Sequence, residues 1–148
     1  MQAQMLAPAA VLVLWSLIML FWIVFTRFPA MAKAGMTAGN ATPGGRGADL
    51  EKLLPAQVNW KSHNYSHLME QPTIFYPTVV ILAIMGAGAI DVALAWAYVV
   101  IRVIHSIYQS TVNRVPVRFT LFLLSTICLI VLAVRAVMAT LLHDPSIN

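Results

Sequence analysis

The stretch that decides the fold runs RVIHSIYQSTVNRVPVR, from Arg102 to Arg118. It carries three of the nine basic residues, Arg102, Arg114 and Arg118, with His105 and Tyr108 between them. Long apolar runs lie on either side of it. Two apolar runs separated by Asn113-Arg-Val-Pro116 predict two membrane-crossing helices joined by a tight turn. Pro116 suits the first turn of the second helix, where its missing N–H costs nothing.

Composition points the same way. Of 148 residues, 60% are hydrophobic and only 9% charged, and the mean hydropathy is +0.81. A soluble domain has about a quarter of its residues charged. Each apolar run is long enough to cross a bilayer, which takes about 20 residues. Backbone polar groups must be satisfied inside lipid, so the runs are expected to be helices. The alternating ten-residue pattern of barrel strands is absent. The net charge of +4 does not argue for nucleic acid, because the few cations sit at helix ends, as the positive-inside rule expects. The lone Cys128 lies inside an apolar run and reads as a small core residue.

Outward from the deciding stretch, the expected helices span about residues 5–28, 62–88, 90–112 and 116–142, in one domain of residues 1–148. The loop of residues 29–61 is rich in Gly, Ala, Pro and Thr. It carries Lys33, Arg46, Lys52 and Lys61, and a short helical turn is expected at residues 49–54. Positive charge follows the first run and does not precede it. That puts both termini on the outer side and both basic loops in the cytoplasm. Pro72 and Pro77 predict a kink in helix two. Gly86-Ala-Gly88 marks an outer turn, and Asp91 suits the N-terminal end of helix three. Asp144 and Pro145 close helix four on the outer side.

Charges at membrane depth cost roughly 2.5–3.5 kcal/mol on insertion scales, so each needs a partner. Arg102 lies about 15 Å deep and Glu70 about 12 Å deep, at 1.5 Å per residue. The matched levels predict that Glu70 faces Arg102, with His105 nearby. Arg135 either snorkels or meets Asp91. His63, His67 and Glu70 share one helical face at a spacing that can ligate a metal, but without a second cluster of ligands. At the mouth, Arg102, Arg114 and Arg118 could hold a small anion at the edge of an apolar cavity. Equally, Arg114 and Arg118 could only fix topology against headgroups. Spacing alone leaves both open.

The run Arg102-x-x-His105, then Arg114-x-Pro116-x-Arg118, resembles the end of helix three and start of helix four in the membrane-associated proteins of eicosanoid and glutathione metabolism, the MAPEG family. The segment HLMEQPTIFYP resembles their helix two, with Glu70 as the family glutamate. The resemblance spans the whole chain and implies an all-α, integral membrane four-helix bundle assembled as a homotrimer. It also implies glutathione as cosubstrate and a lipophilic small molecule as substrate. Arg118 matches the arginine that stabilises the bound thiolate. Glu70, Arg102, His105, Tyr108, Arg114 and Arg27 match, or lie close to, cosubstrate-binding positions. A guanidinium beside a thiol lowers its pKa.

Departures from the pattern are also visible. Glutathione-binding members carry Arg-x-x-Arg-Asn-x-x-Glu in helix two, and this chain has His63, Ser66, His67 and Glu70 there. The family tyrosine after the histidine falls on Gln109, with Tyr108 one residue early, and a second tyrosine is Phe122. The chain resembles a divergent bacterial-type member, expected in the inner membrane. Three classes of function follow: a glutathione- or thiol-dependent transferase or peroxidase, a non-catalytic membrane protein binding lipid or a partner, and a metal enzyme using His63, His67 and Glu70.

Overall fold

The computed structural model describes residues 1–143, so Asp144 and Pro145 lie outside the described residues. Among the described residues five α-helices form: α1 (Gln2–Lys33), α2 (Ala56–Leu68), α3 (Pro72–Met85), α4 (Ala89–Thr111) and α5 (Val115–Leu141). Two short 3-10 turns, Ala38–Asn40 and Gly47–Leu50, stiffen the long loop. With α2 and α3 taken as one span, four helices are long and apolar enough to cross a membrane. The chain is an all-helical integral membrane protein, with no strand among the described residues.

The expected second helix is divided. Pro72 has no N–H to bond the Leu68 carbonyl, and its ring crowds that carbonyl. The helix therefore stops at Leu68 and restarts with Pro72 at its first position. Thr73 N–H bonds the Glu70 carbonyl at 3.2 Å and Ile74 N–H the Gln71 carbonyl at 2.9 Å, a tighter turn that carries the chain across the break. Pro77 is accommodated inside α3.

Helix α4 is the axis of the bundle. Its buried positions include Asp91, Ala95, Tyr98, Arg102, His105 and Gln109, spaced alternately by four and three, so they form one face. Most of that face is polar, whereas Val100, Ile104 and Ile107 are exposed. In lipid this inversion is the stable arrangement, because polar groups find partners only inside the bundle. Around them pack Met5 and Leu12 of α1, Phe75 and Val79 of α3, and Leu129 and Leu132 of α5. Phe75 stacks on Tyr98 with ring centroids 4.3 Å apart.

The two turns form as the sequence implies. Gly86 takes a left-handed conformation (φ 92°), which a residue with a Cβ adopts only under strain. Asp91 accepts the Gly88 N–H at 2.8 Å, capping α4. Of the two expectations for Arg135, the pair with Asp91 is the one made: its Nε and Nη2 both donate to that carboxylate, clamping α5 to the start of α4. We expect Asp91→Ala to lower the midpoint of unfolding in SDS more than Arg135→Met. Asp91 is buried and also serves the cap, whereas the Arg135 side chain is 39% exposed and its charge is screened by solvent.

At the opposite end Asn113 adopts φ 56°, a region that asparagine tolerates well. The α4–α5 turn closes there, with Pro116 in the first turn of α5.

Candidate functional site

Three helices converge on Arg102, which is fully buried. Its Nη1 donates to His67 Nε2 at 2.9 Å, its Nη2 to Gln71 Oε1 at 2.8 Å, and its Nε to the Tyr98 hydroxyl at 3.2 Å. Tyr98 and Phe122 place their rings within 5.5 Å and 5.4 Å of the guanidinium carbon. The acceptors are thus two neutral side chains and a phenol, helped by two π faces.

The expected Glu70–Arg102 pair is not made. Glu70 sits in the break between α2 and α3 with its side chain 68% exposed, and it touches Arg102 only through His67. The reason is azimuth. His67 and Gln71 are four residues apart and share the inward face, whereas Glu70 lies roughly 100° round from Gln71. The relay settles the imidazole. Arginine can only donate, so His67 Nε2 must accept, and Nδ1–H therefore donates to Glu70 Oε2 at 3.1 Å. Arg102 and the carboxylate are joined by a neutral histidine that each side orients.

Glu70→Gln keeps an acceptor for Nδ1–H and should reduce stability by less than about 1 kcal/mol. His67→Leu removes an acceptor from a buried cation and should cost about 2 kcal/mol. Equal losses in the two variants, measured by unfolding in SDS, would contradict the relay.

One turn toward the loop end lies an open cavity of about 250 Å³, lined by His67, His105, Gln109, Val115, Arg118, Phe119 and Phe122. His105 is buried and stacks on His67 at 4.9 Å between ring centroids. Among the described residues Arg118 is the one charged residue of the lining. Its Nη1 donates to Asn113 Oδ1 at 2.7 Å, so the turn residue that closes α4 onto α5 also aims the guanidinium. The cavity offers one fixed cation, three neutral polar side chains and an apolar wall of Val115, Phe119 and Phe122. Such a lining suits an anionic group at one side and a lipophilic one at the other.

A model of the MAPEG family matches residues 5–138. The chain belongs to the MAPEG family. Among curated proteins and among solved structures, nothing matches. Within this MAPEG chain the structure brings together Arg118, His105 and Arg102 with its His67–Glu70 relay. Tyr108 does not line the cavity, and Gln109 takes that place. Arg114 is exposed at the N-cap of α5 and also stays outside the lining. Arg27 lies under the loop, its Nη1 2.9 Å from where a Cβ on Gly47 would stand. The three residues of the metal reading are divided: His63 Nε2 bonds Glu51 at 2.7 Å, while His67 bonds Arg102 and Glu70. Among the described residues no group of three metal-ligating side chains forms.

Sequence reasoning missed Gln71, and it named Gln109 and Asn113 without giving either a part in the site. Gln71 accepts from Arg102 and from the Tyr98 hydroxyl at 3.1 Å, and donates to Thr126 Oγ1 at 2.9 Å. Its signal was present. An amide directly before a proline, in an otherwise apolar span, sits where a helix must break and a side chain can turn inward.

Proposed function

We propose that this MAPEG protein is a thiol-dependent transferase or peroxidase acting on lipophilic electrophiles, with glutathione as the thiol that the family implies. The observation that carries the reading is Arg118: it is held by Asn113 at the edge of a cavity whose other polar groups are neutral. A thiol bound there loses its S–H proton to solvent, and the guanidinium stabilises the thiolate left behind. The thiolate then attacks an electrophile resting against Phe119 and Phe122: a carbon–sulfur bond forms while the bond to the leaving group breaks and that anion departs to solvent. With a hydroperoxide, the O–O bond breaks instead, to give an alcohol and a sulfenic acid that a second thiol closes to a disulfide. That His105 and Gln109 line the same cavity supports direct contact of both with the cosubstrate. Arg102 and Glu70 act through His67. Tyr108, Arg114 and Arg27 would meet the cosubstrate only beyond the cavity.

Assembly and orientation belong to the same proposal. A carboxylate 68% exposed near the middle of a membrane span cannot rest against lipid tails at small cost. A second and third copy in a homotrimer would cover Glu70. The loop end carries Lys33, Arg46, Lys52 and Arg114, which supports placing it in the cytoplasm and both termini outside, in an inner membrane of bacterial type.

A second reading has its own support. Only one cation lines the cavity, so the two carboxylates of glutathione are less well anchored than the family pattern implies. A non-catalytic protein holding an anionic lipid at Arg118 fits that charge count. The two separate in one experiment. Glutathione is titrated calorimetrically into the detergent-purified protein, and conjugation to a small aryl halide is assayed. Binding and turnover that vanish together in Arg118→Ala support the enzyme. Co-purifying lipid, with neither heat nor turnover, overturns it.

A further inference from the structure

One turn below the His67–His105 stack, four buried polar atoms have no hydrogen-bond partner among the described residues. They are both amide atoms of Asn64, Gln109 Oε1 and Ser110 Oγ. All three side chains are closed off by their own chain, at 1%, 7% and 0% exposure. Register sets them at one level, with Asn64 on the face of His67 and Gln109 on that of His105. His67 meets His105, and three residues back along α2 and four on along α4 bring Asn64 level with Gln109. Ser110 lies one turn beyond Ser106, which accepts the Trp15 indole N–H at 3.0 Å. Buried polar atoms are partnered in the great majority of cases, so four unmet atoms at one level need a ligand.

We infer that Asn64, Gln109 and Ser110 form a seat for ordered water at the floor of the cavity. The unmet set contains an amide donor, two carbonyl acceptors and a hydroxyl, all neutral. It therefore suits a neutral molecule that both donates and accepts, and it suits neither an anion nor a metal ion. Asn64 and Ser110 are too enclosed to receive part of a cosubstrate, whereas a water needs only two to four polar partners and the space of one probe sphere. Gln109 connects the seat to the cavity: it lines the cavity while its Oε1 is buried. Water bonded to that oxygen holds the amide with its NH₂ toward the cavity, as a second donor for an anion on Arg118. The seat itself does not rest on the thiol chemistry, because it is filled without any cosubstrate.

A structure of the purified protein without cosubstrate, at a resolution that shows ordered water, is the direct test. Density within hydrogen-bond distance of Asn64 and of Gln109 or Ser110 supports the seat, and a dry seat overturns it. Asn64→Leu gives an independent reading of opposite signs. If water bridges these groups, the leucine strips it of partners and lowers the melting temperature by about 4 °C. If the amide is buried dry, replacing it with leucine raises the melting temperature, and the inference fails. Should Asn64→Leu not fold, Ser110→Ala supplies the same two signs with a smaller change of shape. Conjugation activity enters neither measurement, so loss of the thiol reading would leave this result standing.

Discussion

Gln71→Leu is expected to destabilise the bundle by about 3 kcal/mol, more than any other single change at the polar core. The amide joins three helices: it is carried at the start of α3, accepts from Arg102 and Tyr98 on α4, and donates to Thr126 on α5. Leucine is close to it in size and enters lipid more readily, so the loss is not one of packing or of insertion. It removes the 2.8 Å acceptor of a fully buried guanidinium. A hydrogen bond to a charged group contributes roughly 1.5–3 kcal/mol, and an unmet buried donor adds its own desolvation cost. Interhelical hydrogen bonds between neutral groups in membranes average only about 0.6 kcal/mol, so Thr126→Val should cost far less. Reversible unfolding in SDS measures both. A loss below about 1 kcal/mol for Gln71→Leu would mean that Arg102 finds its acceptors elsewhere. The double variant Gln71→Leu with Arg102→Met should recover most of the stability, because the buried charge goes with its acceptor.

Arg118→Ala should lower kcat for thiol conjugation by about 100-fold, with no comparable change in melting temperature. Removing one preorganised donor from a developing anion costs about 10²–10³ in kcat. Arg118 is half-buried at the start of α5 and supports no other helix, since its one side-chain partner is Asn113 in the adjoining turn. Its loss therefore falls on chemistry. Arg118→Lys keeps the charge but not the planar fork, so an intermediate loss is expected. Asn113→Gly keeps the left-handed backbone conformation and removes only the acceptor. It should cost about tenfold in turnover by letting the guanidinium wander. Equal activity in the wild type and Arg118→Ala would remove the thiolate role from this residue.

Much of the frame was legible in the chain. The four apolar runs, the Gly86–Gly88 turn, the Asp91 cap and the Asn113–Pro116 turn each follow from a local cause. A bilayer sets the length, a left-handed conformation calls for glycine or asparagine, a carboxylate meets a helix N-terminus, and a proline belongs in a first turn. MAPEG membership was legible too, because Arg102, His105, Arg114, Pro116 and Arg118 keep their spacing whatever surrounds them. The partner of Arg102 was not. Counting residues along a helix gives depth, and that count sets Glu70 and Arg102 at similar levels. It does not give direction round the axis, and Glu70 lies off the inward face that His67 and Gln71 share.

The stretch from Arg102 to Arg118 shows the same division. By itself the sequence determined that this stretch ends one membrane helix, turns and starts another, since hydropathy, a proline and basic helix ends are properties of the chain alone. Only the tertiary structure decided what its charges do. Arg102 became the buried centre of a neutral cage of His67, Gln71 and Tyr98, while Arg118 became the single cation of a cavity. The physical reason is that a buried charge is stabilised by whichever acceptors lie within hydrogen-bond reach, and that reach is set by helix rotation, which no one helix's sequence contains.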